Sequence, residues 1–162
     1  MSALEQKLSA YAAYHRDARN VTAHMLGIPL IVLAVEILLS RPVFMGLTPA
    51  MLGTVLAAIY YFTLDTSLAA ALTLLLALAA WAGLVLAHLS TPAWAAIGIG
   101  LFIIGWVIQF IGHGFEGRKP AFLDDLTSLL IGPLFIAAES AVLLGLRREL
   151  RAPLAGTLAP PR

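Results

Sequence analysis

Apolar residues run along the chain in five long stretches, at about 23–40, 43–62, 67–89, 93–111 and 126–146, with polar clusters between them. Each stretch is close to the roughly 20 residues an α-helix needs to cross about 30 Å of hydrocarbon. The clusters carry turn and cap chemistry: Arg41-Pro42, Leu64-Asp65-Thr66-Ser67, Ser90-Thr91-Pro92, and a longer polar segment from Gly112 to Asp125. Ahead of the first stretch, Leu4, Leu8 and Tyr11 fall at i, i+4 and i+7 opposite Glu5, Gln6 and Ser9, which predicts a short amphipathic helix over 2–16. The pattern predicts an all-α, polytopic membrane bundle of four to five membrane helices plus that N-terminal helix. A single domain is expected over 1–151, and the Pro-, Gly- and Ala-rich residues 152–162 read as a disordered tail.

Composition sharpens this picture. The chain is 60% hydrophobic and only 12% charged, where a soluble domain is about 25% charged. A net charge of +1 with no run of Lys or Arg argues against a nucleic-acid partner. The absence of cysteine excludes disulfides, thiolate ligands and a cysteine nucleophile. If all five stretches cross, the cations divide evenly: Lys7, Arg16, Arg19, Arg118 and Lys119 against Arg41, Arg147, Arg148, Arg151 and Arg162. We favour four spans, with the last stretch, interrupted at Gly132-Pro133, re-entering or lying along the interface. Nearly every cation then shares one side. Gly98, Gly100 and Gly105 are expected to let helices approach closely.

Three of the four histidines stand among polar residues at the ends of apolar stretches. His15 and His24 flank Arg16-Asp17-Ala18-Arg19-Asn20, and His113 follows the fourth stretch. Neutral imidazole is the commonest metal ligand, and ionisable groups against a bilayer are costly to keep there. His15, His24 and His113 fall on one face, read as cytoplasmic, and His88 on the other. His15 and His24 are nine residues apart, about 900° around a continuous helix, so they converge only if the chain bends between them. Asp17-Ala18-Arg19-Asn20 offers turn and N-cap residues for that bend. Asn20 precedes His24 by four and could orient its ring. His113 and Glu116 are neighbours if their segment is helical; Gly112, Gly114 and Gly117 point instead to a loop. Arg118 and Lys119 could bind an anionic head group. Glu36 and Glu139 lie inside apolar stretches, as hydrogen-bonded core residues or as the lining of a polar cavity.

Two blocks carry a resemblance to a known family. They are Tyr14-His15-Arg16-Asp17 through Asn20, His24 and Gly27-Ile28-Pro29-Leu30, and Gly105-Trp106-Val107-Ile108-Gln109-Phe110-Ile111-Gly112-His113 with Phe115-Glu116 and Arg118-Lys119-Pro120-Ala121. Over roughly residues 8–147 the chain resembles the fungal endoplasmic-reticulum 2-hydroxy fatty acid dioxygenases and their bacterial relatives. The resemblance implies an Fe(II)-dependent enzyme that uses O2 to shorten a 2-hydroxy fatty acid by one carbon. It implies His15, His24 and His113 as iron ligands, with Glu116 or His88 as a fourth. Asp17, Asn20 and Gln109 would orient the site, and Arg16, Arg118 and Lys119 would meet the substrate carboxylate. The acyl chain would lie between helices at the bilayer edge, among membrane lipid, and the expected location is a bacterial inner membrane.

Other readings remain open to the sequence. A non-catalytic lipid-binding protein would hold no metal. A hydroxylase or zinc hydrolase would keep the metal and change the reaction, because His and carboxylate ligands suit both ions. A small transporter would need a continuous polar path, which the middle stretches do not supply.

Overall fold

The computed structural model describes residues 1–117, 120 and 124–158. Among these there are six α-helices and no strand: α1 (Ala3–Ala12), α2 (Ala18–Leu39), α3 (Pro49–Phe62), α4 (Thr66–Leu86), α5 (Thr91–Glu116) and α6 (Ser128–Leu143), followed by a short 3-10 helix, Arg148–Arg151. Three of them, α2, α4 and α5, are long and apolar enough to cross a membrane. The 14 residues of α3 and 16 of α6 reach about 21 and 24 Å at 1.5 Å per residue, short of the hydrocarbon thickness. Leu52, Val55, Ile59, Leu74, Leu75, Leu78, Ile103, Ile104 and Val107 are exposed. Apolar faces of this extent suit lipid rather than water.

The chain forms two compact units, Met1–Leu26 with Ile108–Arg162, and Gly27–Val107. In the first, α1 packs against α6. A capping box starts α1: the Ser2 hydroxyl accepts from the Glu5 N–H at 3.2 Å, and the Ser2 N–H donates to the Glu5 carboxylate at 2.7 Å. The expected stripe of Leu4, Leu8 and Tyr11 is buried, joined from α6 by Ile131, Leu134, Phe135, Ala138 and Val142. Removing a fully buried leucine such as Leu8 would cost about 2–5 kcal/mol. The break expected at Gly132-Pro133 does not occur, and α6 runs through both residues. Pro133 has no N–H for the helix ladder, but packing holds the helix: Gly132 and Leu134 on either side are both buried. After the 3-10 helix, Leu154 is fully buried and the Thr157 hydroxyl donates to Glu139 at 2.9 Å.

In the second unit, α3 and α4 form an antiparallel pair of adjacent helices. Thr48 and Asp65 cap their starts, accepting from Met51 N–H at 3.2 Å and Leu68 N–H at 2.9 Å. Pro49 occupies the first turn of α3, where its missing N–H costs nothing. Glu36 is buried and accepts from the Thr54 hydroxyl at 2.9 Å, a hydrogen-bonded position inside α2. Two of the glycines expected at close helix contacts are found there. A Cβ on Gly98 would lie 2.6 Å from Leu38, and one on Gly105 would lie 2.7 Å from Ile31. Gly100 has no such role, since a Cβ there meets nothing within 4 Å. Gly98 and Gly100 are two residues apart, about 200° around the helix: only residues on the packed face meet a neighbour.

Gly83 was not singled out by the sequence, yet it is among the tightest. A Cβ there would sit 2.8 Å from the Glu36 carbonyl oxygen and also press on the Ser40 hydroxyl. Gly83→Ala is therefore expected to destabilise the protein by about 1–3 kcal/mol. Gly53→Ala, where a Cβ meets open space, should be neutral or stabilising through helix propensity. Thermal melts of both variants in one detergent check the contrast.

Candidate metal centre

The bend between α1 and α2 is what assembles the site. Helix α1 stops at Ala12, the chain turns through Tyr14 N–H to Tyr11 O and His15 N–H to Ala12 O, and α2 begins at Ala18. His15 sits in that link. His24 is on the second turn of α2, and His113 is on the last turn of α5. Helix α5 thus continues through Gly112 and Gly114 rather than opening into a loop. It ends at Gly117, whose φ of +66° is a left-handed terminator that glycine adopts freely.

All three imidazoles are buried, and one ring nitrogen from each lies within 4.8 Å of the others. His15 Nδ1 is 2.8 Å from the Tyr11 carbonyl and His24 Nδ1 is 2.9 Å from the Asn20 carbonyl. A carbonyl only accepts, so each Nδ1 carries the proton and each Nε2 presents a lone pair. These two Nε2 atoms face each other at 3.0 Å. Two lone pairs at that distance repel, and a shared cation resolves the conflict. The Nδ1 of His113 is buried with no hydrogen-bond partner among the described residues. The donor set therefore fits a metal ion: three neutral nitrogens, two with fixed tautomers and one otherwise orphaned. Burial pushes the His15 imidazole down to about 4, against the opposing pull of the Tyr11 carbonyl, so it is neutral and available as a ligand near pH 7.

The other residues singled out by sequence fall at several places. Asn20 and Gln109 are buried, one turn before His24 and His113 respectively. It is the backbone carbonyl of Asn20, not its amide, that holds the His24 ring. Asn20 Nδ2 donates to Glu116 at 3.2 Å, while Asn20 Oδ1 and Gln109 Nε2 have no partner among the described residues. Asp17 turns toward Arg19, accepting from its N–H at 2.9 Å and its guanidinium at 2.7 Å. That pairing holds its carboxyl down to about 2. Arg16 is exposed. Both oxygens of Glu116 receive backbone N–H groups, and its carboxylate is not among the three clustered donors. His88 follows α4, in the other unit, and is likewise outside the cluster. Arg118 and Lys119 lie outside the described residues.

Tyr11, Phe135 and Gly112 also shape the site and were not identified as such from sequence. The Tyr11 ring stacks on His15 with centroids 4.2 Å apart and planes 10° from parallel, and Phe135 lies 5.7 Å from the same imidazole. A signal for Tyr11 was present: it precedes His15 by four residues, as Asn20 precedes His24. Gly112 lets α5 approach α2, since a Cβ there would be 2.7 Å from both Ala23 Cβ and Asn20 Oδ1.

Six helices, apolar outer faces and a buried three-histidine cluster define a helical membrane protein with a candidate metal centre. Residues 1–143 match the family described as "Mpo1-like: 2-hydroxy-palmitic acid dioxygenase Mpo1-like", and the chain belongs to that family. The 2-hydroxy-palmitic acid dioxygenase MPO1 of Saccharomyces cerevisiae (strain ATCC 204508 / S288c) is 35% identical over 156 residues, spanning 93% of this chain and 87% of the yeast protein. No solved structure matches the chain.

Proposed function

We propose that this protein is an Fe(II)-dependent dioxygenase that shortens 2-hydroxy fatty acids by one carbon, with His15, His24 and His113 holding the iron. The observation that carries the reading is the convergence of three buried neutral imidazole nitrogens in a member of the 2-hydroxy-palmitic acid dioxygenase-like family. The overall change, R–CH(OH)–COOH + O2 → R–COOH + CO2 + H2O, balances with O2 as sole oxidant. Removing four electrons from the acid matches full reduction of O2, so no separate reductant is required.

Bound Fe(II) would supply redox chemistry toward O2 and a chelation point for the α-hydroxyl and carboxylate of the substrate. The chain's own residues orient and shield. The Tyr11 and Asn20 carbonyls fix the His15 and His24 tautomers, and Tyr11 and Phe135 cover the His15 ring. Gln109 offers a buried N–H with no partner among the described residues, the donor a substrate carboxylate would seek. Arg16, Arg118 and Lys119 add cations for the same carboxylate, and Asp17 caps the helix that carries His24. Lys7, Arg16 and Arg19, placed at or before the start of α2, support a cytoplasmic orientation of the centre.

Elemental analysis of protein purified anaerobically, without a histidine tag, tests the reading. Near-stoichiometric iron is expected, lost in His113→Ala, with one CO2 released per 2-hydroxy fatty acid consumed under O2. Zinc in place of iron would point to hydrolysis. No metal, even after reconstitution with Fe(II), would leave a lipid-binding protein as the better account.

A further inference from the structure

Glu116 is the last residue of α5, and its carboxylate reaches the residues just ahead of α2. It accepts from Arg16 N–H at 3.1 Å through Oε1 and 3.0 Å through Oε2, and its Oε2 also accepts from Asp17 N–H at 2.8 Å and from Asn20 Nδ2 at 3.2 Å. The first two donors are backbone groups just ahead of α2, in the region where a helix start leaves N–H groups unsatisfied. A side chain one hundred residues away in sequence therefore caps the α1–α2 bend from the end of another helix. A negative charge there is also favoured by the α2 macrodipole.

The same carboxylate touches every segment that carries a histidine of the centre. Arg16 adjoins His15 in the link. Asn20 lies one turn before His24, and its carbonyl holds that ring. His113 is three residues before Glu116 on α5. We infer that Glu116 is a positioning residue: it clamps the bend to the end of α5 and thereby sets the mutual placement of His15, His24 and His113. This rests on the metal reading given above and assigns Glu116 a role as acceptor to the chain rather than ligand to the ion.

The chemistry explains why a carboxylate is needed. An ionised carboxylate is acceptor-only, with about four lone-pair sites for the three donors that converge on it. Glutamine has one oxygen, and its NH2 would face backbone N–H groups, so at least one donor is left unpaired. Aspartate keeps the charge but is a methylene shorter, so it cannot span to both the backbone donors and Asn20.

The test uses Co(II), whose visible spectrum reports the ligand set independently of turnover, on full-length wild type, Glu116→Gln, Glu116→Asp and Asn20→Ala in one detergent. The expected result is an unchanged ligand spectrum in all four. Affinity should weaken by about 10–100-fold in both Glu116 variants, as for partners that orient metal ligands, and by less in Asn20→Ala, which removes only one donor. Melts of the metal-free proteins separate positioning from folding: the loss of affinity should exceed what any shift in metal-free stability accounts for. Wild-type affinity in both Glu116 variants would overturn the clamp while leaving the metal centre standing. A changed spectrum in Glu116→Gln would make Glu116 a ligand and overturn it as well. If wild type itself bound no Co(II), the metal reading would fall and the clamp with it. Should Glu116→Gln not fold, Asn20→Ala still decides: wild-type affinity there, with the Glu116–Asn20 bond gone, overturns the proposed coupling to His24.

Discussion

Replacing His15, His24 or His113 by alanine is expected to lower metal affinity by more than about 100-fold, beyond the range seen when only an orienting partner is lost, and to abolish turnover. The three rings are buried together, so no water-exposed residue can slide in to replace a lost nitrogen. The stability of the metal-free proteins should behave differently. In the metal-free wild type, the His15 and His24 lone pairs oppose each other at 3.0 Å, a conflict that removing either ring relieves. Metal-free His24→Ala is therefore expected to melt close to the metal-free wild type, despite losing a buried side chain. Added metal should raise the Tm of wild type only, because stabilisation by a ligand scales with its affinity for the native state. Calorimetry with and without metal checks this. A variant that keeps full affinity would remove its histidine from the centre.

The second large effect is expected at a residue with no functional group. Gly112→Ala would put a Cβ 2.7 Å from both Ala23 Cβ and Asn20 Oδ1. Ala23 adjoins His24, and Asn20 supplies the carbonyl that holds the His24 ring, so the strain falls on the His24 imidazole. Separating α2 from α5 at this level costs about 1–3 kcal/mol and is expected to reduce metal occupancy sharply. Gly114→Ala is the control. It lies on the same last turns of α5, but a Cβ there meets nothing within 4 Å, so the variant should retain metal and match or slightly exceed wild-type stability. Metal content and melting temperature of the two variants, measured side by side, distinguish a packing requirement from a general intolerance of alanine in this segment.

The two glycines show where reading the chain stops being enough. Both stand among polar residues near His113, and both were compatible with a loop. Only the neighbouring helix distinguishes them: Gly112 faces α2, and Gly114 faces away. The same holds for Gly98 and Gly105 against Gly100. Helix periodicity says that residues two apart lie on different faces, but it does not say which face meets a partner.

The residues able to bind a metal were legible because their chemistry is unusual in an apolar chain. The need for a bend between His15 and His24 was legible too, since nine residues of helix place them on opposite sides. The amphipathic stripe of α1 followed from spacing, because burial of a helix face is recorded locally at every third or fourth position, and the long apolar helices followed from the length of the apolar runs. What closes the bend was not legible. It is Glu116, brought from the end of α5 to the start of α2, and no local pattern links those positions. The histidine tautomers were equally hidden, because they depend on which carbonyl each Nδ1 meets once the backbone has turned. The sequence by itself determined the helices, their apolar faces and the stock of nitrogen and oxygen ligands. Tertiary structure decided which of those groups converge, because that depends on side-chain contacts between segments far apart in the chain and on the few positions where two backbones approach without a Cβ between them.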